Sequence, residues 1–283
     1  MDFKKIGIIG IGLMGGSLAL AIREKFPQVS LWGYARKPSS YRRIKKLAFL
    51  DRVSTDLAEV VKNSELVVIA TPVFTIIDYF KKISPFLKKG AVVIDLGSTK
   101  EKIEKEAKKI LPADVYFVGC HPLCGSEKSG ANYARRDLYK ESLCIITSNK
   151  NKKPAKFIKK FWEDLGCKVK FLSPQEHDRI LSLISHLPHL ISFSLTEVVP
   201  EDYFRFSLPS FKDLTRISLS KAELWRDIFL SNKKNILLDI DNFINVLKKF
   251  RKLIREEKGE ELREFIGEIN KKHRNLIKDG GCY

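Results

Sequence analysis

Two hydrophobic rhythms divide the chain. Over residues 1–172, short apolar runs at 6–9, 29–34, 66–70, 91–96, 115–120, 142–147 and 168–172 alternate with stretches of helical period at 18–22, 41–47, 56–61, 76–87, 101–110 and 155–165. Leu66-Val67-Val68-Ile69-Ala70 is apolar at every position, as in a parallel strand covered on both faces. Strands alternating with helices predict a doubly wound α/β domain. Thr55 and Asp56 are alternative N-caps for the helix over 56–61.

From Ser173-Pro174 onward no strand pattern appears. Residues 175–199 read as one long helix with no formal charge between Arg179 and Glu197. A membrane span needs about 20 apolar residues. This run carries four serines, two histidines and Pro188, which fits a buried helix kinked at the proline, where a backbone hydrogen bond is lost. A helix apolar on all sides is covered on all sides, and so small a helical domain needs a second subunit to cover it. Further amphipathic helices are expected over 211–224, 225–253 and 260–276, then a frayed tail over 279–283. The expected organisation is a doubly wound α/β domain over 1–172 and an all-α domain over 173–283.

The first strand runs into Gly10-x-Gly12-x-x-Gly15, and a helix follows at once. Gly10 turns the chain off the strand, Gly12 leaves room for a pyrophosphate, and Gly15 lets the helix pack close to the sheet. Together with Leu13 and Met14 they present helix N–H groups and the positive dipole end to phosphates. This marks a Rossmann-like dinucleotide site, with Thr71 and Pro72 where the cofactor crosses the sheet edge. An acidic residue roughly 20 positions beyond the last glycine would bind the ribose 2′-hydroxyl of NAD. Ala35, Arg36 and Lys37 stand there, followed by Ser39 and Ser40. No carboxylate repels a 2′-phosphate and two cations can pair with one, so NADP is favoured over NAD. The alternative is that Arg36 and Lys37 are surface charges beside the adenine.

Ligands of an open α/β sheet bind at the carboxyl ends of its strands. Ser98 follows one such end and His121 another. Beside a nicotinamide, an imidazole of ordinary pKa about 6.5 is suited to take a proton from an alcohol as hydride leaves. Ser98 can hold that ring in one tautomer; capping the loop is the plainer role for His121. His186 and His189, spaced i,i+3, share a helix face and serve either a site or core hydrogen bonding. Arg216 can grip two carboxylate oxygens with its fork or pair with Asp213 on its own helix.

With 283 residues the chain can bury two cores, and its net charge of +18 favours anionic ligands. Basic residues are interleaved with acids, as over 101–106, so solvated helix faces account for most of them. A non-enzymatic nucleotide or nucleic-acid binder is the remote alternative, and it would show steep salt dependence. Asp2-Phe3-Lys4-Lys5 leads straight into the first strand with no leader. The five cysteines, Cys120, Cys124, Cys144, Cys167 and Cys282, show no disulfide-framework spacing, which predicts reduced thiols and a cytoplasmic protein. Cys120-His121-Pro122-Leu123-Cys124 lacks a second ligand pair at zinc spacing, so no metal is expected.

Several motifs then occur in order along nearly the whole chain. They are Gly10-x-Gly12-x-x-Gly15-x-Ser17, Asp95-x-Gly97-Ser98, His121-Pro122-x-x-Gly125-x-Glu127-x-Ser129-Gly130, Glu176-His177-Asp178, Ser185-His186-Leu187-Pro188-His189 and Phe211-x-Asp213-x-Thr215-Arg216-Ile217. This set resembles the prephenate dehydrogenase family, which includes arogenate and cyclohexadienyl dehydrogenases. The resemblance implies NAD(P)-dependent oxidative decarboxylation of the small dianion prephenate to 4-hydroxyphenylpyruvate, in tyrosine synthesis. It implies that His121 binds the ring hydroxyl and assists its deprotonation, that Ser98 orients His121, and that Arg216 binds a substrate carboxylate. It places Ser126 and His189 in the substrate pocket, His186 and Glu127 nearby, and Trp225 beside the site. It also implies a homodimer through the helical domain, with neither nucleic acid nor membrane as partner. Arogenate, with an amino group for the side-chain keto group, is the alternative substrate. Another two-domain hydroxy-acid dehydrogenase is a further alternative, but those are expected to carry a lysine–asparagine pair on the helix where this chain has Ser185, His186 and His189. The sequence departs from the family at Ser207-Leu208-Pro209-Ser210, where a glycine-rich loop is usual, and leaves no room after its last helix for the C-terminal ACT domain of some relatives.

Overall fold

A computed structural model describes residues 3–47, 49–125 and 130–278. The core element is an eight-stranded sheet in the order β3-β2-β1-β4-β5-β6-β7-β8. Its strands are β1 (Lys5–Ile9), β2 (Ser30–Tyr34), β3 (Arg52–Ser54), β4 (Leu66–Ile69), β5 (Val92–Asp95), β6 (Tyr116–Pro122), β7 (Leu143–Ile146) and β8 (Lys168–Phe171). Neighbours are parallel except β6 and β7, where Cys120 pairs with Ile146 and Pro122 with Cys144. β3 escapes the sequence pattern because it has three residues and a single apolar one, Val53. Pairing with Trp32, Gly33 and Tyr34 makes it a strand.

Alternation along β4 shows how the two faces are covered. Leu66 and Val68 join one cluster with Leu18 and Ile22 of α1 (Leu13–Lys25) and Ile158, Phe161 and Trp162 of α6 (Lys153–Asp164). Val67 and Ile69 join the other, with Val73, Ile76 and Phe80 of α4 (Val73–Ile83) and Ile103 of α5 (Glu101–Ile110). Ile44 of α2 (Pro38–Lys45) joins the first cluster and Val61 of α3 (Leu57–Val61) the second. Asp56 caps α3, accepting from the Ala58 N–H at 2.8 Å.

The segment expected to be one proline-kinked helix is three pieces. α7 (Pro174–Leu181) passes through a π turn at Ser182–His186 into α8 (Leu187–Val198). The Leu187 N–H bonds back to the Ser182 carbonyl, a reach of five residues. The widened turn puts Pro188 in the first turn of α8, where its missing N–H costs nothing. Nor is the segment covered on all sides in the single chain: Ile180, Leu183, Ile184 and Val198 are exposed.

Beyond it lie α9 (Pro209–Thr215), a 3-10 turn at Arg216–Leu219, α10 (Ala222–Ser231), α11 (Lys233–Arg255) and α12 (Gly259–Lys278). The helix expected to start at 225 is divided at Asn232, whose side chain is committed to tertiary hydrogen bonds described below. The chain forms two compact units, Met1–Lys233 and Lys234–Tyr283. Within the second, the rings of Phe250 and Phe265 lie 5.0 Å apart. Among the described residues no helix is long and apolar enough to cross a membrane. The expected tail over 279–283 lies outside the described residues.

Candidate active site

The glycine loop opens the site. Gly10 adopts φ +96°, and a Cβ there would stand 2.5 Å from the Ala70 carbonyl oxygen. A Cβ on Gly15 would stand 2.2 Å from the Gly10 carbonyl oxygen, whereas one on Gly12 would meet nothing within 4 Å. So two glycines are demanded by the protein's own packing and the third keeps space open. Gly12 is the N-cap of α1 and no side chain caps the helix, which leaves its first N–H groups available to an anion.

A cavity of about 350 Å³ lies over the loop and is lined by Tyr34, Ala35, Arg36, Ser40, Arg43 and Tyr79, among others. A second cavity, of about 310 Å³, shares Gly12, Ala70, Thr71 and Pro72 with it and reaches Leu13, Met14, Ser98 and His121. Thr71 Oγ1 is buried and has no hydrogen-bond partner among the described residues. An open backbone cradle, an uncapped helix and an orphaned hydroxyl fit a nicotinamide dinucleotide lying along both cavities. Among the described residues no carboxylate lines the first cavity. Lys37 is not among its lining residues; it is the N-cap of α2. Arg43 stands there instead, because it follows Ser40 by three residues on α2 and shares its face. That i,i+3 relation was the available signal for it.

β5 ends in Asp95, which organises the catalytic end of the sheet. Its fully buried carboxylate accepts from the Gly97 N–H at 2.9 Å and the Cys120 N–H at 3.3 Å, and it pairs with the fully buried Lys100 ammonium. Burial pushes the Asp95 carboxyl up and Lys100 opposes this. These bonds tie the loop carrying Ser98 to the end of β6, so Ser98 and His121 line one cavity.

Among the described residues the His121 ring bonds to His177, not to Ser98: Nδ1 lies 2.8 Å from His177 Nε2. His177 Nδ1 lies 2.8 Å from Asp178 Oδ1. Asp178 also accepts the Lys100 N–H at 2.7 Å on Oδ1 and the Glu101 N–H at 3.0 Å on Oδ2, capping α5 from another element. Burial, followed by His177, Lys100 and His186, holds His121 well below the ordinary imidazole value. His177 is lowered too, burial outweighing its bond to Asp178. Sequence reasoning quoted Glu176-His177-Asp178 as a motif and gave it no role.

The histidines of the π turn and α8 part company. His186 is buried, and its Nδ1 lies 3.1 Å from Asn232 Nδ2, which also donates to the Asp178 carbonyl at 2.7 Å. His189 bonds through Nδ1 to the Ser185 carbonyl at 2.9 Å and stacks on Trp225, ring centroids 3.6 Å apart. Burial depresses His189, and Arg216 is near enough to depress it further. Trp225 is buried, and among the described residues its indole N–H has no partner. Arg216 is exposed, and no ion pair joins it to Asp213 among the described residues. Ser126 and Glu127 lie outside the described residues. Among the described residues no group of three or more His, Cys, Asp or Glu side chains is placed to hold a metal.

Residues 18–171 match the prephenate dehydrogenase nucleotide-binding domain, and residues 173–268 match the prephenate dehydrogenase dimerization domain. The chain belongs to the prephenate dehydrogenase family. Cyclohexadienyl dehydrogenase of Zymomonas mobilis is 33% identical over 287 residues, 98% of this chain and 97% of that protein. Prephenate dehydrogenase of Bacillus subtilis is 33% identical over 264 residues, 90% of this chain and 71% of that protein. The crystal structure of prephenate dehydrogenase from A. aeolicus with hydroxyphenyl propionate and NAD+ has a TM-score of 0.90 at 35% identity, covering 98% of this chain and 99% of that one. As a member of the prephenate dehydrogenase family, the chain is an NAD(P)-dependent oxidoreductase of tyrosine biosynthesis with prephenate or cyclohexadienyl dehydrogenase activity.

Proposed function

We propose that this chain prefers prephenate, converting it to 4-hydroxyphenylpyruvate and carbon dioxide, and prefers NADP to NAD. The observation that carries the reading is that Ser98 and His121 line a cavity continuous with the glycine-loop crevice. When bound, the nicotinamide supplies the acceptor for the hydride on the ring carbon that bears the hydroxyl. His121, held neutral by its burial, takes the hydroxyl proton as that hydride leaves. Loss of the ring carboxylate as carbon dioxide puts an electron pair into the ring, and His121 returns the proton to the oxygen as the ring becomes aromatic. Ser98 holds the oxygen and nicotinamide side of the cavity. Arg216 takes a substrate carboxylate, and His189 stacked on Trp225 walls the pocket, with His186 behind them. Ser126 and Glu127 belong to the same pocket by resemblance.

Arg36, Ser40 and Arg43, with no carboxylate beside them, support a 2′-phosphate and hence NADP. Residues 1–172 then serve as the dinucleotide-binding domain and residues 173–283 as the substrate and dimerisation domain. The exposed Ile184 and Val198 support a homodimer through the latter, which light scattering on the purified protein tests. Arogenate is the second reading, favoured by the likeness to a cyclohexadienyl dehydrogenase. Purified protein assayed with prephenate and arogenate, each with NAD and NADP, decides between them. Turnover of prephenate, fastest with NADP, is expected. Turnover of arogenate alone would change the substrate, and faster turnover with NAD would overturn the cofactor preference. Silence in all four assays, from folded protein that binds a dinucleotide, would overturn the reading.

A further inference from the structure

We infer that His177 and Asp178 are positioning residues that fix which nitrogen of His121 acts as the base. This rests on His121 being the base, as proposed above, and concerns two residues that play no part in that reading.

The argument starts at Asp178. Its carboxylate accepts the backbone N–H groups of Lys100 and Glu101 at 2.7 and 3.0 Å, so its oxygens face donors. His177 Nδ1, 2.8 Å from Oδ1, must then carry a hydrogen, since two lone pairs at that distance repel. A neutral imidazole has one N–H, so His177 Nε2 carries a lone pair. His121 Nδ1, 2.8 Å from that lone pair, must carry a hydrogen in turn. The His121 lone pair therefore resides on Nε2, the nitrogen not engaged with His177, and this is the atom that takes the substrate proton. The reverse arrangement would set a bare His177 Nδ1 against the carboxylate. It would also leave His121 Nδ1 as the lone pair, committed to a neighbouring N–H and useless to a substrate.

Nothing in the relay is free to turn. His177 and Asp178 are buried, and the Asp178 carbonyl is held by Asn232 at 2.7 Å. The charged and titratable groups acting on the two rings are His177, Lys100 and His186 on His121, and Asp178, Lys100 and Asp95 on His177. Asp178 is thus the anion directly bonded into the chain. When His121 takes the substrate proton, the relay offers that charge a hydrogen-bonded path to a carboxylate without a second proton having to move, as in other histidine–carboxylate pairs.

The protein has five histidines, few enough for their ring nitrogens to be assigned by nitrogen-15 NMR with histidine-to-asparagine controls. Wild-type His121 is expected to carry its hydrogen on Nδ1. In Asp178→Asn the amide oxygen keeps the Oδ1 place, where the Lys100 N–H and His177 Nδ1–H both donate to it, so the tautomers are expected to stay and the carboxylate charge is what is lost. In that variant kcat falls by about tenfold, because the proton taken by His121 loses the carboxylate that favoured it, while cofactor KM stays within about twofold. The acid limb of the pH profile moves to lower pH because the anion that favoured the protonated rings is gone. Asp178→Asn also alters the cap of α5, so His177→Gln, which leaves that cap intact, is the second variant and should lower kcat in the same way. A His121 hydrogen on Nε2 in the wild type would overturn the inference. So would a pair of variants that keep both kcat and the acid limb. If His121→Ala keeps its turnover, the base assignment fails instead, and the tautomer spectra report on the relay separately.

Discussion

The loop of Gly10, Gly12 and Gly15 is made of neighbouring residues and presents backbone. The chain from His121 through His177 to Asp178 joins β6 to α7 across 56 positions and presents only side chains. The loop needs room and free N–H groups, and Gly10 and Gly15 leave no space for a Cβ. The second needs each ring nitrogen matched to its neighbour, donor against acceptor. One half thus depends on the absence of side chains at two positions and the other on the pairing of three side chains. The two halves meet at Ser98 and His121.

The sharpest break of that comparison is at His121. His121→Ala should cut turnover by roughly 10²–10⁴-fold while dinucleotide binding, followed by fluorescence, is retained; near-normal turnover would remove it from the mechanism. Next is Lys100→Met, which strands the buried Asp95 carboxylate without its partner. It should destabilise the fold by about 3–5 kcal/mol, seen as a lower urea midpoint, and an unchanged midpoint would show that the pair is not needed. Arg216→Ala should weaken substrate binding by about 1.5–3 kcal/mol, the worth of a hydrogen bond to a charged group, in KM more than in kcat. Smallest is Arg43→Ala on the crevice rim. It should weaken NADP by about 1 kcal/mol, the upper range for exposed ion pairs, and leave NAD unchanged; an equal loss for both cofactors would mean that Arg43 does not face a 2′-phosphate.

The pH dependence follows from the direction of the His121 shift. Burial lowers its folded-state value below 6.5, so the unfolded chain takes the proton first as pH falls. Stability from this group is complete above about 6.5 and is lost as pH falls from there through the folded value. The acid limb of kcat/KM in the free enzyme should likewise fall below pH 6.5, and a midpoint at or above it would contradict a buried neutral base.

Much of the site could be read in advance because its signals are local. The glycine spacing, the cation-rich stretch after β2 and the strand that ends at His121 are each continuous in sequence. Arg43 lies one helical turn beyond Ser40 and lines the crevice while Lys37 does not, because sequence distance from the last glycine does not reveal which residues of α2 face it. The π turn was invisible for a different reason. Pro188 announces a disturbed helix, but whether it kinks the helix or is relieved by a wider turn depends on what the two halves pack against. The partner of His121 was invisible in the same way. Ser98 is the near polar neighbour at a strand end, while His177 lies on a helix whose approach to the sheet no local pattern states.

The sequence by itself determined the alternation of strands and helices, the dinucleotide loop and the presence of a histidine at the end of β6. These follow from periodicity and from backbone demands that act within a few residues. Tertiary structure alone decided the reversal of β7 against β6, the edge strand β3 and the bonds from His121 to His177 and Asp178. The physical reason is one of range. A hydrogen bond of 2.8 Å between residues 56 positions apart exists only once two separately formed elements have packed, here α7 held to the start of α5 where Asp178 accepts the Lys100 and Glu101 N–H groups.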